Sequence, residues 1–175
     1  MDSLKRFLAT KLKLKVNEQK SAVARPRARK FLGFSFTGAG IPKRRIAPKA
    51  VDRFKERVRE LTRRTRGVSI ERMAEDLTRY LRGWIGCFGK CETPSVLLGL
   101  EQWIRRRLRS VIWKQWKRGK TRFAELRKRG VKRDLAAKTA GSGHGPWRLA
   151  NSPAFSIALP NAYFDSLGIP RLTVR

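Results

Sequence analysis

The sequence is poor in cysteine, histidine and acidic residues, and each shortage excludes a class of site. It has 2 Cys, 1 His and 13 Asp plus Glu among 175 residues. Cys87 and Cys91 lack the second pair of ligands that a structural zinc site needs, and a disulfide across one helical turn has poor geometry. We therefore predict no metal site and expect the two cysteines to be buried thiols.

The residues that acid–base or metal-dependent catalysis requires are also scarce. The glycine-rich segments GSGHG and FTGAG lack the Lys and the Ser or Thr of a P-loop. His144 lies in the first of these; an RNA contact or a proton carrier is its functional interpretation, and an ordinary loop histidine is the one we favour. We therefore predict no catalytic residue. The aspartates are scattered, with no two adjacent: Asp2, Asp52, Asp76, Asp134 and Asp165.

The chain also lacks a long apolar run. No stretch of about 18 apolar residues exists, which excludes a transmembrane helix. Lysines interrupt the N-terminal apolar positions that a signal peptide would need. A basic amphipathic chain can lie on an anionic membrane, but here cations occupy almost every helix face rather than one side. We expect an intracellular, cytoplasmic protein, bacterial in origin, with no membrane partner.

Positive charge is what the sequence has in excess. It has 43 Lys plus Arg, a formal net charge of +30 and a pI near 11.7. Such like charges repel one another, so a polyanion that binds the folded state also stabilises it. Highly charged disordered chains are poor in apolar and aromatic residues, whereas this sequence is 41% hydrophobic and contains five Trp and nine Phe. We expect a folded domain that binds nucleic acid.

Apolar spacing predicts a mainly α fold with a small N-terminal β element. An amphipathic helix over 4–14 opens the chain, and short strands follow at 21–24, 31–37 and 43–47. Three long helices come next, the second capped by Ser69 and the third, over 93–118, begun by Thr93 and Pro94. Shorter helices are predicted over 122–129 and 132–138, with an irregular tail after them.

Cations recur on successive helices, and we interpret them as an RNA-binding surface, because Arg can fork to phosphates and stack on bases. Trp103, Trp113, Trp116 and Trp147 lie among these cations; core packing is the interpretation we favour for each, with base stacking as the alternative. The candidates for RNA contact are Arg53, Arg57, Arg79, Arg82, Arg105, Arg106, Arg107, Arg109, Lys114, Lys117, Arg118, Lys120 and Arg122.

Several strings of the sequence resemble group II intron reverse transcriptases, the maturase family. KLKVNEQKS and RKFLGFSFT are similar to the last two blocks of the palm. Three longer strings resemble the thumb, also called the maturase-specific domain or domain X: RIAPKAVDRFKERVRELTRRTRG, LTRYLRGWIGCFGKCETPSV and LEQWIRRRLRSVIWKQWKRGKTR. Two shorter strings resemble the end of the thumb: GPWRLANSPAF and NAYFDSLGI.

The resemblance implies a palm remnant over residues 1–47 and a thumb over 48–175, with a thumb-like bundle of three long helices plus short C-terminal helices. It adds Lys15, Asn17 and Lys20, which match the NxxKS block, to the RNA-binding candidates. It also implies group II intron RNA as the partner and assistance of its folding and splicing as the function.

The family's fingers, paired-aspartate box and zinc-bearing endonuclease domain have no counterpart in the sequence, so we expect no polymerisation by this chain alone. Magnesium is expected only in the full-length polymerase, and no cofactor here. One alternative is the thumb portion of an RNA-directed DNA polymerase, completed by a separate fingers/palm chain and holding a DNA/RNA duplex. Another is a general RNA chaperone or ribosome-associated protein.

Overall fold

A computed structural model describes residues 2–17, 21, 24–25, 29–38 and 40–173. Within them the chain is mainly helical, with one antiparallel two-stranded hairpin, so the predicted fold class is confirmed. The strands are β1 (Phe34–Phe36) and β2 (Arg44–Ile46). The helices are α1 (Asp2–Lys11), α2 (Pro48–Leu61), α3 (Ile70–Phe88), α4 (Pro94–Gln115), α5 (Gly119–Lys128), α6 (Arg133–Ala140), α7 (Pro146–Leu149), α8 (Pro153–Ala158) and α9 (Asn161–Ser166).

The three long helices begin where the sequence predicts. Pro48 and Pro94 occupy the first turns of α2 and α4, where a missing N–H leaves no helical bond unmade. The Ser69 hydroxyl accepts a hydrogen bond from the Arg72 N–H and caps α3. Thr93 stands at the N-cap position of α4, as predicted, although its side chain makes no capping hydrogen bond.

The N-terminal region differs from the prediction in detail. Phe34 pairs with Ile46 in the hairpin, and the turn before β1 has positive φ at Leu32 and Gly33, as a tight two-residue turn requires. The predicted strand over 21–24 lies partly outside the described residues, and neither Ser21 nor Ala24 is in a strand. α1 buries no residue.

A row of aromatic rings joins the hairpin to the long helices. Phe34 packs on Phe88 with ring centroids 5.2 Å apart, Phe88 on Trp84 at 4.9 Å, and Trp84 on Phe54 at 4.4 Å. These rings continue into the apolar core between α2, α3 and α4, where Leu77 is fully buried. The apolar stripes predicted from 3–4-residue spacing therefore face one another.

The C-terminal third packs against the far end of α4. Trp113 of α4 and Trp116, the residue just after it, contact Phe155 of α8 with ring centroids 5.4 and 6.0 Å away. Phe164 of α9 and Leu172 are also fully buried. The tail predicted as irregular therefore forms three short helices, and the prolines at the starts of α7 and α8 stand in first turns rather than marking breaks.

The structure bears on two further features of the sequence. Cys91 is buried, as predicted, whereas Cys87 is exposed, so the buried-thiol prediction is wrong for Cys87. None of the helices in the described part of the chain combines the length and apolar character needed to cross a membrane.

Candidate nucleic-acid interface

The arginine run in the middle of α4 points into the protein rather than away from it. Arg105 is 5% exposed and is ion-paired with Glu101 and, at 3.4 Å, with Asp165. The other oxygen of the Glu101 carboxylate accepts the Leu172 N–H at 3.1 Å. This buried network ties α4 to α9 and the C-terminal segment, because a buried charge needs partners for its donors and lone pairs.

Three neighbouring arginines on α4 bind other parts of the fold. Arg106 donates from Nε and Nη2 to the Trp147 carbonyl, both at 3.1 Å. Arg107 donates to the Thr62 hydroxyl at 2.9 Å, at the end of α2. Arg109 donates twice to the Leu159 carbonyl, at 3.0 and 2.9 Å. These donors satisfy carbonyls and a hydroxyl of neighbouring segments, which are therefore held against α4.

Burial changes the charge properties of two of these guanidinium groups. Burial lowers the pKa of Arg107, with repulsion from Arg59 and Arg64 as a smaller cause. Burial likewise lowers the pKa of Arg109, with a smaller effect of Arg105. Their donors are engaged inside the fold, so these side chains serve packing between segments more directly than contact with an external phosphate.

An open groove beside the C-terminal end of α4 gathers cations that do reach solvent. It has a volume of about 560 Å³, and no acidic residue is among those that line it. Its apolar floor is formed by Val68, Met73 and Val111. We name it the basic groove; its cations are Arg63, Arg64, Lys114, Lys117 and Arg122.

Local structure positions each wall of the basic groove. Arg63 and Arg64 stand in the loop between α2 and α3, which Gln115 holds to α4 by donating to the Val68 carbonyl at 3.0 Å. Lys117 has φ +32° and turns the chain from α4 into α5. The Arg122 guanidinium lies 4.5 Å from the ring centroid of Trp113, a cation–π contact that fixes its direction.

The basic groove can hold a phosphate backbone. Four of its five cations are exposed, and Arg122 is half-buried. Arg forks match pairs of phosphate oxygens, and Lys ammonium groups add mobile point charges. With no carboxylate in the lining, an anion in the groove meets only attractive side-chain charges. The arrangement favours binding of a polyanion rather than acid–base chemistry.

Comparison with known families matches residues 51–130 to the model of the group II intron, maturase-specific domain. These residues form a group II intron maturase-specific domain. The basic groove lies wholly within the domain, since its lining runs from Arg63 to Arg122. A search of curated proteins finds no match. The maturase-specific domain implies association with group II intron RNA, and the resemblance stated from the sequence is confirmed over these residues.

The structure brings together only some of the predicted RNA contacts of the maturase-specific domain. Lys114, Lys117 and Arg122 share the basic groove. Arg118 and Lys120 are exposed in the adjoining turn and the first turn of α5. Arg105, Arg106, Arg107 and Arg109 have the internal partners described above. RNA contact stays a prediction for all of these residues, but the set proposed below leaves out Arg105, which is buried.

The predicted residues of α2 and α3 lie elsewhere. Arg53 is exposed, and Arg57 is exposed and ion-paired with Glu60 at 2.7 Å. Arg57 and Arg79 line one shallow depression, and Arg79 and Arg82 line another. Ahead of the domain, Lys15 and Asn17 are exposed, and Lys20 lies outside the described residues.

Two groove residues, Arg63 and Arg64, were absent from the sequence-based candidates. Those candidates came from cations at helical spacing and from one sequence block, whereas Arg63 and Arg64 follow the end of α2. The run LTRRTRG could have indicated them, because it places three arginines in a short connection between two helices, where helix packing cannot cover all of them.

Proposed function

We propose that this chain binds group II intron RNA through the basic groove of its maturase-specific domain and helps that RNA reach its splicing-competent fold. The observation that carries the proposal is the convergence of five cations on one groove whose lining contains no acidic residue. They come from the α2–α3 loop, α4, the α4–α5 connection and α5. The proposed role is positioning and charge neutralisation, with no covalent step assigned to the groove.

Folded RNA is a suitable partner for such a groove. Bringing RNA helices together is opposed by phosphate repulsion, and bound cationic side chains reduce it by releasing counterions. Arg122 is already oriented by Trp113, so it loses less side-chain freedom when it binds a phosphate. The exposed lysine side chains can adjust to differences in the path of the RNA backbone. Affinity should therefore be strong, and it should fall steeply as salt rises.

The proposal includes the division expected from the sequence. Residues 1–47 would be the palm remnant, and residues 48–175 would be the thumb. In support, the hairpin contacts the long helices: Phe34 packs on Phe88 of α3, and the Gly33 carbonyl accepts from the N–H of Ala47, the residue just before α2, at 2.8 Å. The palm-like hairpin would thus pack on α3 of the thumb-like bundle and lead directly into α2.

A triple substitution of groove residues tests the proposal. Arg63→Gln, Arg64→Gln and Lys114→Gln together should weaken binding to a group II intron RNA, and should lower the slope of log affinity against log salt by roughly 0.9 for each phosphate contact removed. The matched control is Lys128→Gln, Lys132→Gln and Lys138→Gln, which removes the same charge from exposed positions of α5, α6 and the connection between them. Equal loss in both variants would contradict the groove.

A splicing assay tests the second half of the proposal. At low magnesium the intron folds poorly, because too few counterions screen its phosphates. The wild-type chain should accelerate splicing there, and the groove triple variant should not. Competition by bulk RNA at the same affinity as the intron would instead favour a general RNA chaperone.

A second candidate function is favoured by apolar surface at the N-terminal end. Leu4 and Phe7 of α1, and Phe31, Leu32 and Ile41 around the hairpin, are all more than half exposed. These residues all precede the matched segment 51–130 in the chain, and exposed apolar patches are typical of surfaces that another chain covers. On this proposal the chain is the thumb of an RNA-directed DNA polymerase completed by a separate fingers/palm chain, which would supply the magnesium site.

Primer extension separates the two candidates. The second one predicts no extension by this chain alone and extension when a fingers/palm chain is added, with the basic groove holding a DNA/RNA duplex. Leu4→Ser with Phe7→Ser should then abolish the added activity. If mixing the chains never gives extension, the first candidate alone stands.

A further inference from the structure

Trp147 differs from the other tryptophans of the chain in its surroundings. Trp84, Trp113 and Trp116 are buried, and Trp103 is partly buried against the core. Trp147 is 38% exposed and is absent from the residues that pack on the core. It stands in the first turn of α7, directly after Pro146. Core packing, the interpretation favoured for every tryptophan from sequence, does not account for Trp147.

Arg106 holds this indole in place from below. Its guanidinium carbon lies 4.2 Å from the centroid of the Trp147 ring, while Nε and Nη2 both donate to the Trp147 carbonyl at 3.1 Å. One arginine thus fixes the main chain and covers one face of the side chain of the same residue. An aromatic ring fixed before binding loses little conformational freedom when a ligand stacks on it.

The ligand that suits this ring is a flat group attached to negative charge. Base–aromatic stacking is the usual way in which proteins hold unpaired nucleotides, and nearby cations attract their phosphates. Exposed Arg148 follows Trp147, and exposed His144 precedes it by three residues. The chain's net charge of +30 favours a polyanionic ligand at this position over a cationic or neutral apolar one.

We propose that Trp147, supported by Arg106, is a stacking platform for an unpaired base of the bound RNA. The inference rests on the proposed function, since it takes RNA as the ligand, and it adds recognition of single-stranded nucleotides to phosphate binding. The platform is separate from the basic groove: Arg106 precedes Lys114 by eight residues, which is about 12 Å along the axis of α4. Trp147 also lies outside the matched segment 51–130.

Two RNAs with equal numbers of phosphates test the platform. One is a continuous duplex, and the other is the same duplex interrupted by an internal loop of unpaired uridines. Trp147→Ala should weaken binding to the looped RNA by roughly fivefold to a hundredfold and leave binding to the continuous duplex unchanged. Trp147→Phe should keep most of the preference for the looped RNA, because a flat ring remains.

The controls separate this inference from the proposed function. Leu98→Ala removes a different exposed apolar side chain, on α4, and should change neither affinity. The groove triple variant should weaken both RNAs alike. If Trp147→Ala binds both RNAs as the wild type does while the groove variant loses affinity, the platform is wrong and the proposed function survives. If the wild-type chain binds neither RNA, the proposed function itself is wrong.

A second measurement does not depend on the stability of a variant. When the uridines of the loop are replaced by 5-iodouridine, ultraviolet light should cross-link the wild-type chain to them at Trp147, as mass spectrometry of the peptides would identify. Cross-links confined to other residues would overturn the platform. Thermal unfolding of Trp147→Ala near the wild-type temperature is also expected, since its main-chain carbonyl keeps the bonds from Arg106.

Discussion

Arg109 of α4 donates two hydrogen bonds to the main-chain carbonyl of Leu159, at 3.0 Å from Nε and 2.9 Å from Nη2. Its guanidinium also lies 5.6 Å from the ring centroid of Phe164. One side chain therefore connects α4 to the connection between α8 and α9. A cation that sequence alone places on an RNA-binding surface holds the fold together.

Arg109→Gln should accordingly lower stability more than RNA affinity. Loss of the forked donor leaves a partly buried carbonyl with an imperfect partner, which costs about 1–3 kcal/mol. Urea unfolding measures this cost, and RNA titration of the folded variant should stay close to wild type. Lys114→Gln should show the reverse pattern. A large loss of affinity in Arg109→Gln with unchanged unfolding would return Arg109 to the RNA-binding surface.

The buried network around Arg105 gives a second prediction. Arg105→Met removes the cation shared by Glu101 and Asp165 and leaves the Glu101 charge buried, which should cost about 3–5 kcal/mol in the free energy of unfolding. Adding Glu101→Gln removes that charge and keeps an oxygen that can accept the Leu172 N–H. The double variant should therefore unfold at higher urea than Arg105→Met. If it is less stable still, charge is not the cause.

The acidic limb of the stability curve should depend on Asp165. The hydrogen bond from Arg171, then the positive charges of Arg171 and Arg105, hold the pKa of Asp165 below its usual value. A depressed pKa in the folded state stabilises the fold above the unfolded pKa of about 3.9, and this contribution is lost as pH falls through the lower folded value. Unfolding free energy should thus drop below about pH 4.

Asp165→Asn separates this effect from the other carboxylates. The variant should be less stable than wild type at pH 7, and the difference should shrink as pH falls below about 4. Asp76 and Glu92, whose pKa values are lowered by hydrogen bonds from Arg66 and from the Arg44 N–H, keep part of the acid sensitivity in both proteins. Asp134→Asn, at an exposed position of α6, is the control. A constant difference at every pH would exclude the linkage.

The long helices could be predicted because their causes are local. Apolar residues three and four apart define one buried stripe per helix, and Ser69, Pro48 and Pro94 act within one turn of their own positions. The C-terminal helices could not be predicted in the same way. They are four to six residues long and depend on contacts such as Phe155 with Trp113, which are distant in sequence.

The candidate site was predictable in kind but not in place. Charge indicates a polyanion, and a family resemblance indicates which one, but neither tells which arginine donates inward. The residues next to Arg106 and Arg107 in the sequence do not distinguish them from exposed cations. In the fold, however, they bind carbonyl and hydroxyl groups 41 and 45 residues away. The basic groove likewise joins Arg63 to Arg122, a proximity that exists only after α2, α3 and α4 have packed.

The turn before β1 provides a test of the hairpin's attachment. Gly33 has φ +82°, and a Cβ at this position would lie 2.8 and 2.9 Å from ring atoms of Phe88. The Phe88 ring is itself packed between Phe34 and Trp84, so it cannot move away freely. Gly33→Ala should therefore destabilise the chain by the cost of a left-handed backbone, about 1–2 kcal/mol, and by an additional steric cost.

Gly40→Ala is the matched control for Gly33. Gly40 also has positive φ, at +63°, but nothing lies within 4 Å of the Cβ that it would gain. Its substitution should show the backbone cost alone. Equal destabilisation of the two variants in urea unfolding would mean that the aromatic row does not clamp the hairpin.

Lys117 combines a groove charge with an unfavourable backbone, so one substitution can separate binding from folding. With φ +32° just after α4, Lys117 occupies a conformation that glycine adopts without steric cost. Lys117→Gly should leave stability unchanged or raise it by up to about 1 kcal/mol, since relief of strain exceeds the entropy that glycine loses on folding. The same change removes a cation from the basic groove, so RNA affinity should fall and the salt slope should decrease by about 0.9.

Lys132→Gly on the exposed α5–α6 connection removes equal charge without relieving strain, and it should lower stability without this change in slope. Weaker binding from a more stable protein would place the effect at the groove, because loss of folding could not produce it; unchanged affinity would remove Lys117 from the RNA-contacting set.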